Sequence, residues 1–133
     1  MDFKIGQSFS FNLELSNANL DDYSQLTGDK NHLHMDEAFA QSYNYKTRVV
    51  HGAFLLGFIS RMIGMHLPGG DCLLQTINAK FISPAYADDK LEFCAIVDQI
   101  SEAVNVIVIK FSIKNITTGN VLAQGKAQVG LLK

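Results

Sequence analysis

Cysteine is scarce in this chain, with two residues in 133, Cys72 and Cys94. Both fall in apolar, strand-like runs, where a free thiol behaves as a small buried hydrophobe, so neither a disulfide framework nor a thiol nucleophile is expected. There is no Cys-x-x-Cys and no His-x-x-x-His at helical spacing, which removes the usual zinc patterns. Charge of one sign is also lacking. Eleven Lys and Arg stand against thirteen Asp and Glu, a formal net charge of −2 with no basic stripe, and nucleic acid is therefore not expected as a partner. No glycine loop of the phosphate-cradling kind is present, since Gly69-Gly70 reads as a turn. The start Met1-Asp2-Phe3-Lys4 lacks the basic segment, apolar core and small-residue cleavage site of a secretory signal, so the cytoplasm is the expected location. No linker, repeat or low-complexity tract divides the chain. A single domain over 1–133, of ordinary domain size, is expected.

What is present is mostly apolar: 47% of residues are hydrophobic, enough for one continuous core. The longest apolar stretch, Val49 to Leu67, contains His51, Arg61 and His66 and glycines at 52, 57 and 64, which predicts a central buried helix and no membrane span. Its small residues would let a sheet wrap closely around it. Phe9, Phe11, Leu13 and Leu15 alternate with polar residues, the period of a half-buried strand. Ser16 is placed to cap a short helix carrying Leu20, Tyr23 and Leu26 on one face, and Gly28 to end it. Another short helix starts near Asp36, leaving Asn31 to His34 in a connection. The runs 73–83, 90–100, 104–115 and 121–132 read as strands joined by turns, an antiparallel meander. A long apolar helix with an antiparallel sheet makes an α+β layer arrangement.

The loop Thr27-Gly28-Asp29-Lys30-Asn31-His32-Leu33-His34 sets a carboxylate and an imidazole five positions apart. Such residues in Gly- and Asn-containing loops often serve only as turn formers. The run Val49-Val50-His51-Gly52-Ala53 shifts the balance, because its glycine stands where a strand-like stretch becomes a helix. The first amides of a helix have no intrahelical partner and sit at the positive end of its dipole, so the Gly52 N–H could polarise a carbonyl oxygen. An Asp29–His34 pair converging on one water, beside such a donor, suggests addition or removal of water.

Gly28, Asp29, Asn31 and His34, followed by Ala38-Phe39 and then His51-Gly52, resemble the signature of the MaoC-like, or R-specific enoyl-CoA hydratase, family. Its motif runs roughly Gly-Asp-x-Asn-Pro-x-His before a His-Gly step. Leu67-Pro68-Gly69, Phe81-Ile82-Ser83-Pro84 and Asp89-Lys90-Leu91 are similar to later landmarks of that family. Two positions depart from it: His32 stands where proline is usual, and Asp88 where a glycine precedes the aspartate. The resemblance implies a hot-dog fold, a sheet wrapped around a long central helix, and a homodimer with sites at its interface. It implies that Asp29 and His34 hold the water, Asp29 mainly as base and His34 as its partner and proton donor, while Gly52 polarises a thioester. Asn31 would fix the loop and Ser60 would support the aspartate. No cofactor and no metal are implied; the acyl group rides on coenzyme A or acyl carrier protein. A hot-dog acyl thioesterase and a non-catalytic acyl-binding or scaffold subunit are the alternative readings. His32, His51 and His66 carry no assigned role, His51 reading as a packing histidine and His66 as a partner for the helix's last carbonyls.

Overall fold

A computed structural model describes residues 2–132. The alternating segment forms strand β1 (Ser8–Leu13), and the next segment forms helix α1 (Asn17–Thr27). Helix α1 begins in a capping box: the Ser16 hydroxyl accepts from the Asn19 N–H at 3.1 Å, and the Asn19 side chain accepts from the Ser16 N–H at 2.9 Å. It ends on Gly28 at φ +77°, a left-handed position that glycine takes without steric cost. Leu20 is buried beneath it, but Leu26 is 87% exposed, so the expected apolar face stops short of the last turn.

The connection expected at 31–34 is itself helical. Asn31 caps a single turn, α2 (His32–Met35), its side chain accepting from the Leu33 N–H at 3.1 Å. His32 thus fills the first helical position, where proline is favoured because its missing N–H would have no partner anyway. Asp36 ends α2 and caps α3 (Glu37–Ser42), accepting from the Phe39 N–H at 3.1 Å.

Helix α4 (Gly52–Met65) follows and buries Leu55, Ile59, Met62 and Ile63, one stripe at helical spacing, against the sheet. The sheet holds β1, β2 (Cys72–Phe81), β3 (Leu91–Ser101), β4 (Val106–Asn115) and β5 (Val121–Leu131) in the order β1-β3-β4-β5-β2, antiparallel throughout. This is the α+β hot-dog arrangement. The meander β3-β4-β5 was expected, while β1 and β2, separated in sequence by four helices, flank it at opposite edges. The inner sheet face supplies Phe93, Val97, Ile107, Ile109, Ile113 and Val129, and these with the α4 stripe make the core.

Several expectations need correcting. Helix α4 is buried on one side only, with Ala53, Gly57, Ser60 and Met65 exposed. Its Gly57 and Gly64 do not admit the sheet, because a β-carbon on either would meet nothing within 4 Å. Close approach occurs at Gly52, against the Phe81 ring of β2, and at Gly125, where a β-carbon would collide with the Asn78 carbonyl oxygen across the β2–β5 ladder. Cys72 and Cys94 are half-buried, not core residues. His66 meets the helix's last carbonyls through its backbone N–H, which donates to the Met62 carbonyl at 3.0 Å, while its ring stacks on Phe9 with centroids 4.1 Å apart. The run from 104 opens with a 3₁₀ turn (Glu102–Val104) and the left-handed Asn105, so β4 starts only at Val106.

Candidate active site

Three segments meet at the N-terminus of α4: the end of α1 with its following loop, the turn α2, and the step from Val49 to Gly52. Arg48 draws the first two together. Its Nε–H donates to the His34 carbonyl at 2.7 Å, and its Nη2 pairs with Asp21 at 2.6 Å. Val49 adds a bond from its N–H to the Leu33 carbonyl at 3.1 Å.

The His34 Nδ1 lies 2.7 Å from the Val49 carbonyl oxygen. A carbonyl can only accept, so the proton of the neutral ring sits on Nδ1 and Nε2 keeps its lone pair. The His51 Nε2 lies 3.1 Å from the Asp29 carbonyl oxygen and 3.1 Å from the Ser24 Oγ. By the same reasoning, His51 is protonated on Nε2. The Ser24 hydroxyl spends its own proton on the Met35 sulfur at 2.9 Å, which leaves its oxygen free to accept. The His34 and His51 rings stack, with centroids 4.1 Å apart and planes 26° from parallel.

Asp29, His34 and His51 present polar side-chain atoms all within 4.8 Å of one another. The Asp29 carboxylate is exposed and accepts one weak bond, from the Asn31 N–H at 3.4 Å. His32, although nearer in sequence, meets the Phe39 ring edge-on at 5.3 Å, and the third member of the cluster is His51. With His34 Nδ1 and His51 Nε2 both turned to backbone carbonyls, the ring nitrogens left over are His34 Nε2 and His51 Nδ1.

The Gly52 N–H has no hydrogen-bond partner among the described residues, as expected of a first helical amide. The Phe81 ring lies directly against its α-carbon: a β-carbon there would sit 2.8 Å from Cζ. A pocket of about 490 Å³ opens beside them, lined by His34 and Gly52 together with Tyr45, Val49, Phe81 and Pro84. His34 and the first residue of α4 thus border one largely apolar space.

His34 is thus shared between two groupings, the cluster with Asp29 and His51 and the pocket with Gly52, while Asp29 does not itself line that pocket, and Asn31 fixes the turn that carries His34. Ser60 is not gathered with them: it is exposed on α4 and makes no side-chain hydrogen bond to Asp29. Sequence reasoning missed Arg48, Ser24 and Tyr45, and it read His51 as packing. Asp88 adopts φ +67°, which explains why glycine is the usual residue there, and Asp89 accepts from the Tyr86 N–H at 2.9 Å to brace the same turn.

Burial holds the His51 imidazole below its ordinary range; nearby His34 and Arg48 act in the same direction, while the Asp29 carbonyl and charge oppose them. The unfolded chain then takes up a proton at His51 from about pH 6.5 downward that the folded chain refuses, so stability falls as pH drops below that value. Urea midpoints measured at about pH 7.5 and 5.5 should decline more for the wild type than for His51→Gln, which has nothing to titrate there. Equal declines would refute this linkage.

The family described as MaoC like domain matches residues 2–121. The chain is 35% identical over 88 residues to the (R)-specific enoyl-CoA hydratase of Rhodospirillum rubrum, covering 66% of this chain and 61% of that protein. It is 30% identical over 91 residues to the 3-hydroxybutyryl-CoA dehydratase of Methylorubrum extorquens, covering 68% and 58%. The match thus spans about three fifths of the length of these curated relatives. Among solved structures, the (R)-hydratase from A. caviae superposes with a TM-score of 0.92 over 98% of both chains at 24% identity, which speaks for the fold. With the family match running through the Asp29–His34 loop, α4 and most of the sheet, the chain belongs to the MaoC-like domain family.

Proposed function

We propose that the protein interconverts trans-2-enoyl thioesters and (R)-3-hydroxyacyl thioesters, with coenzyme A as the carrier. The observation that carries this reading is that His34, clustered with the Asp29 carboxylate, also lines the pocket that Gly52 borders at the start of α4. The (R) configuration and the coenzyme A carrier follow the names of the relatives.

A water held between Asp29 and His34 Nε2 offers one proton to each. Its oxygen attacks Cβ as Asp29 takes a proton. The C=C electron pair moves through Cα towards the thioester oxygen, where the Gly52 N–H meets the developing charge. The proton taken from water then passes to Cα, leaving a hydroxyl on Cβ and both side chains as they began. His34 starts with a lone pair at Nε2, so it acts as donor only after accepting that proton within the pair. No step requires a cofactor.

The reading includes a homodimer. Strand β2 is an open edge, which favours pairing with another strand, and Leu73, Phe81 and Ile82 stand exposed on or beside it. Phe81 also lines the pocket, so a second copy docked along β2 would stand beside the site.

The test mixes purified protein with crotonyl-CoA and follows loss of enoyl absorbance, product chirality, free thiol and sedimentation. Formation of the (R) alcohol by a dimer with no thiol released is the expected result. Released thiol without hydration would establish a thioesterase, and binding without turnover of short or long enoyl chains a non-catalytic acyl-binding subunit.

A further inference from the structure

We infer that His51 is a positioning residue that ties Asp29, His34 and Gly52 to one another, and that its Nε2–H and its ring face do this work separately. The inference rests on the hydratase reading for its kinetic consequence, though not for its geometry. His51 is 1% exposed, and its Nδ1 has no hydrogen-bond partner among the described residues. Burying a polar atom without a partner is unfavourable, and an apolar side chain would fill the same space without that penalty. A histidine here needs a reason, and its other nitrogen supplies one.

The Nε2–H reaches back 22 residues to the Asp29 carbonyl, fixing the main chain from which the carboxylate projects. One ring face carries His34. Tyr23 packs on the same ring at 4.7 Å in a tilted contact, so little room remains for the imidazole to turn. The backbone of His51 leads directly into Gly52, whose N–H is the candidate oxyanion donor. One side chain therefore refers all three groups to a common point. The titratable and charged groups around it are His34, Asp29, Arg48 and Tyr23, and burial keeps the ring itself uncharged.

Two substitutions separate the contributions. His51→Phe keeps a stacking ring and removes the donor; His51→Gln removes the ring and keeps an amide donor within reach of the Asp29 carbonyl. With crotonyl-CoA, His51→Phe should lose about 10²-fold in kcat with KM little changed, the size expected when a catalytic group is misplaced by an ångström, and His51→Gln should recover much of that loss. Nitrogen-detected NMR of the histidine rings, with backbone amide shifts of residues 29–31, supplies a readout independent of turnover. In the wild type it should show His51 neutral and protonated at Nε2, with the loop shifts displaced in His51→Phe and restored towards wild type in His51→Gln. A folded His51→Phe with wild-type kcat and unmoved loop shifts would overturn the inference, as would equal losses in both variants. Should His51→Phe not fold, an Nδ1-protonated His51 in the wild type would overturn it alone. A wild type that shows these ring signals but hydrates nothing removes the functional reading and leaves the positioning role standing.

Discussion

Asp29→Asn is expected to lower kcat for crotonyl-CoA hydration by about 10²–10⁴-fold, the range for a positioned acid–base group, while the fold persists. Asparagine keeps an oxygen that can accept from the Asn31 N–H, and the side chain is exposed, so the loop should survive the change. What disappears is the negative charge that receives the water's proton in the proposed reaction. His34→Ala should cause a loss of the same order. The double variant should fall scarcely further than the worse single one, because groups that act on one water act as a unit. Stopped-flow or steady-state absorbance, with circular dichroism as the control for folding, measures all three. Independent, multiplying losses would contradict a shared water.

Phe93→Ala should destabilise the protein by about 3–5 kcal/mol, the range for deleting a buried aromatic ring. Phe93 is 0% exposed on β3 and stacks on Phe11 of β1 with centroids 5.0 Å apart, while Phe58 of α4 meets it at 5.8 Å. It therefore joins the edge strand, the sheet centre and the helix in one contact set. Against a total stability of about 5–15 kcal/mol, such a loss removes about a fifth or more. Chemical denaturation reads it as a lower midpoint, and an unchanged midpoint would mean that the core had closed over the vacancy.

The elements that could be read from sequence are those whose signals are local. Helix α1 carried its capping serine, its terminating glycine and a partial apolar face, and β1 carried its alternation. The turn α2 escaped because four residues cannot show a helical period, although its cap, Asn31, was already singled out for fixing the loop. Leu26 misled because a helical face continues geometrically beyond the point where anything packs against it. The flanking of the meander by β1 and β2 depends on contacts across the whole chain. Within the site, Asp29, His34 and Gly52 were legible because their chemistry lies in residue type and in a helix start. His51 was not, since its partners lie 22 and 27 residues away and its meaning depends on which nitrogen each of them faces. Ser60 shows the converse: a residue type and a helix position do not say which side of the helix meets the site.

The carbonyl that fixes the His34 proton belongs to the backbone of Val49. Every amino acid brings that same oxygen. Replacement of Val49 can alter the pocket wall, yet it cannot delete the acceptor that leaves Nε2 free. The feature on which the proposed chemistry most depends is thus written in the path of the chain and not in a codon. It is shielded from drift, while the walls around it stay open to selection for different acyl groups.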